Sequence, residues 1–408
     1  MIWTPISKCY VTVEAKGQKF LAGVLSENDG EFRFAYGQSW LKSPQSFPFD
    51  PVNLPLSSKT YQSEHLWGAF ADSLPDNWGK RVMLALHSQK PSNNIEWLLA
   101  TRGTGVGALT YSASLNHPPV IASIPTYHDL EAILDLIKNI EIGQFPRDID
   151  SNLLKLVEFG SSMGGARPKV TIAKDGTHYL AKLSRNDDSY DQLRAEHACL
   201  MMANEIGIPT PSSHIEEING VSVLFIKRFD FDEEGGRRHY LSARSVIAAF
   251  RIREGLNSPA SYLRIASDIS RMSASPREDR IDLFKRMVLN VMIRNTDDHL
   301  QNHGWLVEQD NPSRYRLSPC FDILPHPASP EVMALNIGKE GRKASLSNAL
   351  SSADQFGLTK DEAVSIMQEV GAVVANCESF FTEAGMNPLD IQIMTSACTR
   401  LIPELKTL

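Results

Sequence analysis

The segment NTDDHLQNHGW, residues 295–305, concentrates side chains that can hold a metal ion or move a proton. Its eleven residues contain two aspartates, two histidines and two asparagines. The segment directly follows an apolar stretch with the spacing of a buried helix. Three interpretations suit such a sequence: a metal site, a phosphoryl-transfer loop, or an ordinary polar turn.

A metal site would use His299 and His303, which stand four residues apart and would share one face of a helix. The HExxH arrangement of zinc enzymes also needs a glutamate beside the first histidine, and this segment has none. Asn295, Asn302 and Gly304 favour a loop over a helix. The motif therefore gives a two-histidine metal site little support.

A phosphoryl-transfer loop agrees better with the spacing. That chemistry needs a carboxylate to orient and deprotonate the acceptor hydroxyl, and an amide oxygen five residues later to hold magnesium. Asp297 and Asn302 stand in this D-x-x-x-x-N relation. A second magnesium carboxylate should follow on a nearby strand, and Asp322 in the sequence CFDI comes after an apolar hairpin pattern.

The same chemistry needs three further features upstream, and all three occur in the expected order. The small-residue loop SSMGGARPK comes first, Lys182 follows on the predicted strand HYLAKLS, and Glu196 lies on the next predicted helix. Taken alone, Gly164-Gly165 could be a plain turn, and Lys182 and Glu196 could be surface residues. All of these features in the order of a kinase predict a phosphotransferase.

The elements that must position these residues can be predicted along the chain. The sequence NDG at 28–30 and the sequence DG at 175–176 each separate two strand patterns, which is typical of hairpins. A helical pattern begins near His65 and is interrupted at Pro75. From about Leu153 the predicted order is strand, glycine loop, strand, helix and strand.

After Arg244 the pattern is almost wholly helical. The helix before residues 295–305 has one apolar face at the helical period, made of Phe284, Met287, Val288, Val291 and Met292. The sequence WLVE…YRL then predicts a hairpin, and helices are expected from there to the C-terminus. The proline-rich residues 114–126 are expected to form a linker or a domain edge.

The bulk properties indicate a globular protein whose 408 residues suffice for two or three domains. A net charge of −7 argues against a surface devoted to nucleic acid. Basic residues nevertheless outnumber acidic ones between residues 227 and 294, and this run could be a solvated helix face or a local basic patch. The run includes Arg237, Arg238, Arg244, Arg251, Arg253 and Arg264.

The cysteines and the N-terminal sequence suggest the compartment. The five cysteines are far apart, odd in number and form no CxxC pair, so neither a disulfide framework nor a zinc site is expected. The start MIWTPISKCY has no basic segment followed by an apolar run, and no stretch approaches membrane-spanning length. We therefore expect a cytoplasmic protein with buried free thiols.

Together these motifs resemble the HipA family of serine/threonine kinases, the toxin halves of bacterial HipBA toxin–antitoxin modules. The similar segments are SSMGGARPK, YLAKL, KRFDF, RNTDDHLQNHGW and SPCFDILP, with FADSLPDNWGKRVM and GVGALTY nearer the N-terminus. The resemblance spans nearly the whole chain. It implies an α+β, protein-kinase-like two-lobe fold with an accessory subdomain over 1–125, a nucleotide-binding lobe over 126–240 and a mostly helical C-lobe over 241–408.

The resemblance also implies a role for each matching residue. Asp297 would be the catalytic base, Asn302 and Asp322 would bind Mg²⁺, Lys182 would bind the ATP phosphates, and His299 would hold the loop geometry beside the cofactor. The phosphate loop would consist of Gly164, Gly165, Ala166, Arg167, Pro168 and Lys169, and the adenine hinge of Lys227, Arg228 and Phe229. Lys227 stands where an acidic residue is expected in the family.

The family's biology supplies the expected cofactors and partners. Members use ATP and Mg²⁺, phosphorylate aminoacyl-tRNA synthetases and induce dormancy, and a HipB-like helix-turn-helix antitoxin recruits them to operator DNA. A serine at the position of Ser162 is autophosphorylated, and Ser161 would be a second site. A phosphoserine there would bring about two negative charges into a site for phosphate. Both serines could instead be small residues suited to a tight loop.

Two other functions stay open beside a HipA-type protein kinase. One is a non-catalytic, kinase-fold binding subunit of an antitoxin–DNA complex, and the other is a kinase of small molecules. The complete set of Lys182, Asp297, Asn302 and Asp322 argues against the first. The N-terminal similarity to HipA argues against the second.

Overall fold

The computed structural model describes residues 5–15, 18–86, 90–116, 123–141, 167–185, 187–232, 234–247 and 260–408. The chain forms two compact units, each discontinuous in sequence. The first comprises Met1–Arg185, Glu217–Leu241 and Gln309–Ser313, and the second comprises Asn186–Glu216, Ser242–Glu308 and Arg314–Leu408. The three predicted domain ranges stay a prediction beside this division. Within the described ranges, every helix is too short or too polar to span a lipid bilayer.

The first unit begins with a five-stranded antiparallel sheet in the order β4-β3-β2-β1-β5. Its strands are β1 Lys8–Ala15, β2 Gln18–Asn28, β3 Glu31–Tyr36, β4 Tyr61–Ser63 and β5 Leu109–Ser112. Asp29 and Gly30 join β2 to β3 with φ of 49° and 80°, the left-handed pair that a two-residue hairpin turn requires. The predicted hairpin is therefore confirmed.

The helices of the first unit are α1 Gln38–Leu41, α2 Gly68–Ala71, α3 Asn77–Leu86, α4 Asn94–Ala100 and α5 Leu130–Glu141. The predicted break at Pro75 is confirmed, because it falls between α2 and α3. Pro75 has no amide hydrogen to continue a helix.

A second group of antiparallel strands carries the predicted nucleotide-binding residues. It contains β6 Lys169–Lys174, β7 Thr177–Leu183 and β9 Val221–Lys227, and β7 pairs with both β6 and β9. The strand β8 Ser213–Ile218 precedes β9, and β10 Tyr240–Ser242 follows it. Asp175 and Gly176 turn β6 into β7 with φ of 50° and 76°, which confirms the second predicted hairpin.

The core under these strands alternates in the way that a half-buried sheet requires. Val170, Ile172, Ala181, Leu183 and Phe225 are buried in one cluster with the apolar face of α5. Because these apolar side chains take one face of β6 and β7, Lys169 and Lys182 lie on the other face.

The second unit is mostly helical. Its helices are α6 Gln192–Glu205, α7 Ala243–Ile247, α8 Tyr262–Met272, α9 Pro276–Met292, α10 Leu346–Leu350, α11 Lys360–Ala375, α12 Cys377–Glu383 and α13 Pro388–Thr399. The predicted hairpin after residues 295–305 is present as β11 Gly304–Val307 paired with β12 Tyr315–Leu317. Short 3-10 helices occur in this unit at Leu300–Asn302, Ala353–Phe356 and Ile402–Thr407, and in the first unit at Tyr127–Asp129.

Helix α9 leads into the proposed catalytic segment. Pro276 occupies its first turn, where the missing amide hydrogen costs nothing. The predicted apolar face is confirmed, since Phe284, Met287, Val288, Val291 and Met292 are all fully buried.

The prediction that helices run from the hairpin to the C-terminus is wrong for residues 318–345, which are extended and turned. Four prolines stand between residues 319 and 330 of this stretch, and each removes a backbone donor that a helix would use. Helices resume only at α10.

Candidate active site

The proposed catalytic loop begins where α9 ends. Arg294 has a φ of 64°, a left-handed conformation that a side chain other than glycine rarely adopts. Two hydrogen bonds hold it there. Its Nη2 donates to the carbonyl of Ser329 at 2.5 Å, and its carbonyl accepts the amide of His326 at 3.0 Å. The chain is thus turned sharply out of the helix at a fixed point.

The two adjacent aspartates of the loop have different environments. Asp297 is exposed, whereas only 2% of Asp298 is exposed. Asp298 accepts hydrogen bonds from the hydroxyl of Tyr262 and from Nε2 of His303, the latter at 2.9 Å. A carboxylate can only accept, so His303 must carry a proton on Nε2. Asp298 therefore anchors the loop and leaves Asp297 directed to solvent.

A chain of buried hydrogen bonds extends from Asp298 back into the helices. Nδ2 of Asn295 donates to Oδ1 of Asn290 at 3.0 Å, and Nδ2 of Asn290 donates to the hydroxyl of Tyr262 at 3.0 Å. Burial and the neighbouring Asp298 raise the pKa of Tyr262 well above its ordinary value, so its hydroxyl keeps its proton as a donor. The network fixes both ends of the residues between Asn295 and His303.

Asn302 offers an amide that the protein itself does not use. It ends the short 3-10 helix Leu300–Asn302, where its backbone amide donates to the carbonyl of His299 at 2.9 Å. Only 6% of Asn302 is exposed, and its side chain makes no hydrogen bond with any residue that the structure describes. A side-chain amide that the protein leaves unused is available to bind a ligand.

The segment after β12 brings Asp322 to the catalytic loop. Asp322 is exposed and has a φ of 59°, and its chain returns to the loop through the hydrogen bond from His326 to Arg294. Burial lowers the pKa of His326, while the charges of Asp297 and Asp322 both act to raise it. Both carboxylates therefore lie within electrostatic range of the His326 imidazole, on the same unit.

These oxygen donors fit magnesium better than a softer metal. Mg²⁺ is held in kinases by one or two carboxylates together with substrate phosphates rather than by an all-protein cage. Within the described ranges no group of three or more His, Cys, Asp and Glu residues could hold a metal alone. Nε2 of His303 is bound to Asp298, and its buried Nδ1 has no hydrogen-bond partner among the described residues. Nδ1 of His299 is buried and has no hydrogen-bond partner among the described residues.

Two lysines face each other on the strands of the first unit. Lys169 of β6 lies opposite Lys182 of β7, and both are buried. Like charges directly opposite on a sheet repel. Lys169 is compensated by an ion pair of 2.9 Å between its Nζ and the carboxylate of Asp76. Burial raises the pKa of Asp76, and the charge of Lys169 opposes that shift. The ammonium of Lys169 thus already has a carboxylate, and its contact with phosphate stays a prediction.

Half of the predicted phosphate loop lies outside the described residues, namely Gly164, Gly165 and Ala166, and so do Ser161 and Ser162. Its end is described. Nη1 of Arg167 donates to the carbonyl of Leu183 at 3.0 Å, and the amide of Leu183 donates to the carbonyl of Pro168 at 3.0 Å. These bonds fix the exit of the loop onto β7, next to Lys182.

The predicted adenine hinge begins at the last residue of β9. Lys227 is exposed and Phe229 is half-buried, while Arg228 is buried and its guanidinium binds Asp230 at 2.6 Å. Burial alone would raise the pKa of Asp230, but Arg228 and Arg237 hold it below its usual value. The Arg228 side chain therefore serves the structure of this unit, and an adenine contact from residues 227–229 stays a prediction.

The basic run is largely occupied where the structure describes it. Arg237 donates to the carbonyls of Gly103 and Gly105, and Arg264 pairs with Asp268 at 3.0 Å. Arg251 and Arg253 lie outside the described residues. Arg237 and Arg264 are thus committed within the protein and Arg244 is exposed to solvent, which favours the solvated or structural interpretation over a nucleic-acid patch.

Sequence reasoning missed the supporting residues of the loop. Asn290 could have been noticed, because it is an amide within an otherwise apolar helical face. Tyr262 carried no signal, since it stands 36 residues before the Asp298 that it contacts. Glu196 is buried on α6 of the second unit.

Two protein-family domains match this chain. The HipA-like C-terminal domain matches residues 161–377 and the HipA N-terminal domain matches residues 13–112. Similar proteins include "Putative kinase Y4mE" of Sinorhizobium fredii, 22% identical over 338 residues that cover 77% of each chain. A "Putative kinase" of Haemophilus influenzae is 23% identical over 193 residues, or 42% of this chain and 55% of that protein.

A solved structure shows the fold. HipA of Shewanella oneidensis MR-1, determined with HipB and its operator DNA, aligns with a TM-score of 0.72 at 16% identity, over 98% of this chain and 99% of that one. The predicted α+β, kinase-like fold is therefore confirmed. Because the C-terminal family domain alone covers more than half of the sequence, the chain belongs to the HipA family.

Proposed function

We propose that this chain is an ATP- and Mg²⁺-dependent serine/threonine protein kinase and the toxin of a toxin–antitoxin module. Family membership and the relatives named as kinases support the reaction class. The similar structure of Shewanella oneidensis HipA, which was determined with HipB and operator DNA, supports a HipB-like antitoxin as partner and operator DNA through it. The protein acts in the cytoplasm on another protein, with an aminoacyl-tRNA synthetase as the candidate substrate.

The observation that carries this proposal is the contrast between Asp297 and Asp298. The buried Asp298 holds the loop through its hydrogen bonds, whereas the exposed Asp297 has no such structural role. In the reaction Asp297 orients the acceptor hydroxyl and takes its proton. Asn302 and Asp322 would hold Mg²⁺, which when bound neutralises charge on the transferring phosphoryl group. Lys182 binds the ATP phosphates.

Regulation by self-phosphorylation belongs to the same proposal. Ser162, with Ser161 as a second site, precedes the glycines of the phosphate loop. A phosphoserine there would compete with the ATP phosphates for the same donors, so modification switches the kinase off. Intact-mass spectra should show phosphate on wild-type protein and none on Asp297→Asn. Equal phosphate on both would contradict self-modification.

The test of the kinase activity is phosphoryl transfer from labelled ATP, read in a cell lysate and as growth arrest on expression. Asp297→Asn should abolish both, because the base and the orienting carboxylate are lost together. Arrest by a stably folded Asp297→Asn protein would indicate a non-catalytic binding subunit. Label that enters only small molecules would indicate a small-molecule kinase.

A further inference from the structure

Residues 332–343, called the 332–343 ribbon below, form a narrow antiparallel excursion of the second unit. Val332 bridges Lys343, and the amide of Met333 donates to the carbonyl of Arg342 at 2.8 Å. One side of the ribbon is anchored in the core by Met333, Leu335 and Ile337, which are buried. The opposite side is exposed at most positions.

The turn of the ribbon is held by one buried asparagine. Nδ2 of Asn348 donates to the carbonyls of Gly341 and Lys343 at 3.1 and 2.9 Å, and its Oδ1 accepts the amide of Glu340 at 2.8 Å. Asn348 is fully buried at the start of α10. A surface turn fixed in this way loses little conformational freedom when it binds a partner.

The ribbon is joined directly to the catalytic loop. The amide of Ala334 donates to the carbonyl of Thr296 at 2.9 Å, and Thr296 immediately precedes Asp297. Further along, the carbonyl of Asn336 accepts the amide of Tyr262 at 3.0 Å, and Tyr262 is the residue that holds Asp298. The ribbon therefore starts beside the proposed base and shares its supporting network.

The exposed side of the ribbon carries two uncompensated positive charges. Lys343 pairs with Glu340 at 2.6 Å. The side chains of Lys339 and Arg342 are exposed and have no ion pair or hydrogen bond among the described residues. Val332 is 45% exposed on the same ribbon. A rigid, basic and partly apolar surface thus adjoins the catalytic loop of a protein whose net charge is −7.

We propose that the 332–343 ribbon is the docking surface for the protein substrate and that Lys339 and Arg342 bind an acidic side chain near the acceptor hydroxyl. The inference rests on the proposed kinase function. Lys339 stands five positions after Ala334. At ~3.3 Å per residue this interval spans at most roughly 16 Å, so the acid lies within about five positions of the acceptor. Two free cations and an apolar residue suit a peptide, whereas nucleic acid is bound through many phosphate contacts.

The test is phosphorylation of a peptide array in which each peptide has one serine and a single aspartate moved through every flanking position. The variant is the charge reversal Lys339→Glu with Arg342→Glu. The matched control is Lys360→Glu with Lys406→Glu, which reverses two exposed lysines of the same unit. ATP hydrolysis without peptide is measured for every protein.

Wild type and the control should prefer aspartate within about five positions of the serine. The ribbon variant should raise KM for that peptide about 5- to 10-fold, keep kcat and ATP hydrolysis, and accept lysine at the same position. Absence of any phosphoryl transfer by wild type would overturn both this inference and the proposed function. Transfer without acidic preference, or a preference unchanged in the ribbon variant, would overturn the inference alone. The inference would also be overturned if the ribbon variant lost binding to fluorescent duplex DNA while its peptide kinetics stayed unchanged.

Discussion

The substitution Asp298→Asn, compared with Asp297→Asn, separates support from catalysis within one dipeptide. Both changes replace a carboxylate by an amide of the same shape, one residue apart. Asp298 is 2% exposed and accepts from Tyr262 and His303, whereas Asp297 is exposed. The same chemical change should therefore destabilise the second unit at residue 298 and leave its stability unchanged at residue 297.

The expected magnitude follows from the hydrogen bonds lost. Both donors converge on one oxygen of Asp298, Oδ2, so an asparagine that places its amide oxygen there keeps both contacts but loses the negative charge. A hydrogen bond to a charged group contributes about 1.5–3 kcal/mol, against about 0.5–1.5 kcal/mol for a neutral one. Loss of the charge at two hydrogen bonds should therefore lower the free energy of unfolding of Asp298→Asn by about 2–3 kcal/mol. Asp297→Asn should stay within about 0.5 kcal/mol of wild type.

The assay is urea unfolding at 25 °C followed by hydrogen–deuterium exchange in peptides that cover α9 and the catalytic loop. Exchange resolves the opening of this unit from the opening of the first unit, so a single global transition need not be assumed. The loop peptide should lose protection in Asp298→Asn and keep it in Asp297→Asn.

Two results would refute this reasoning. If Asp298→Asn retained wild-type protection and the wild-type urea midpoint, the buried network would not hold the loop. If Asp297→Asn destabilised the unit as much as Asp298→Asn, the exposed carboxylate would have a structural duty that its environment does not show.

Three further predictions concern other sites. Mg²⁺ with ATP should raise the melting temperature, and Asp322→Ala should remove the magnesium-dependent part, which differential scanning fluorimetry measures; an unchanged shift would exclude Asp322 as a ligand. Burial lowers the pKa of His239 from 6.5 to about 4, so its contribution to stability is present above pH 6.5 and is lost as the pH falls. The stability of wild type relative to His239→Gln should fall by about 2 kcal/mol between pH 7.5 and 5, and a pH-independent difference would contradict this. Asp230→Asn should cost about 3 kcal/mol in urea unfolding of the first unit, since Arg228 and Arg237 would stay buried without a counterion; an unchanged midpoint would show that these charges are solvated.

The amino-acid sequence by itself determined the local elements and the spacing of the catalytic motif. The dipeptides Asp29-Gly30 and Asp175-Gly176 specify hairpins, because few other residues tolerate a left-handed backbone at both positions. The face of α9 follows from its helical period. The five-residue interval between Asp297 and Asn302 is a property of the chain and needs no fold to be recognised.

Strand β8 shows where local reasoning fails. Its sequence SHIEEI has few apolar positions, so no strand was predicted there. The prediction of helices over residues 318–345 is wrong for the same reason. Their conformation depends on hydrogen bonds from Asn348 and on contacts with Thr296. These partners are distant in sequence, so local propensity cannot predict which of them a residue contacts.

Only the tertiary structure decided how chemically identical side chains divide their roles. Asp297 and Asp298 are indistinguishable in the motif, and the difference arises because Tyr262 and His303 reach one of them. Lys169 and Lys182 face each other on neighbouring strands, yet the ion pair of Lys169 is with Asp76, from a segment far back in the chain. The charge, exposure and hydrogen-bonding capacity of a side chain are set by the groups that the fold brings against it.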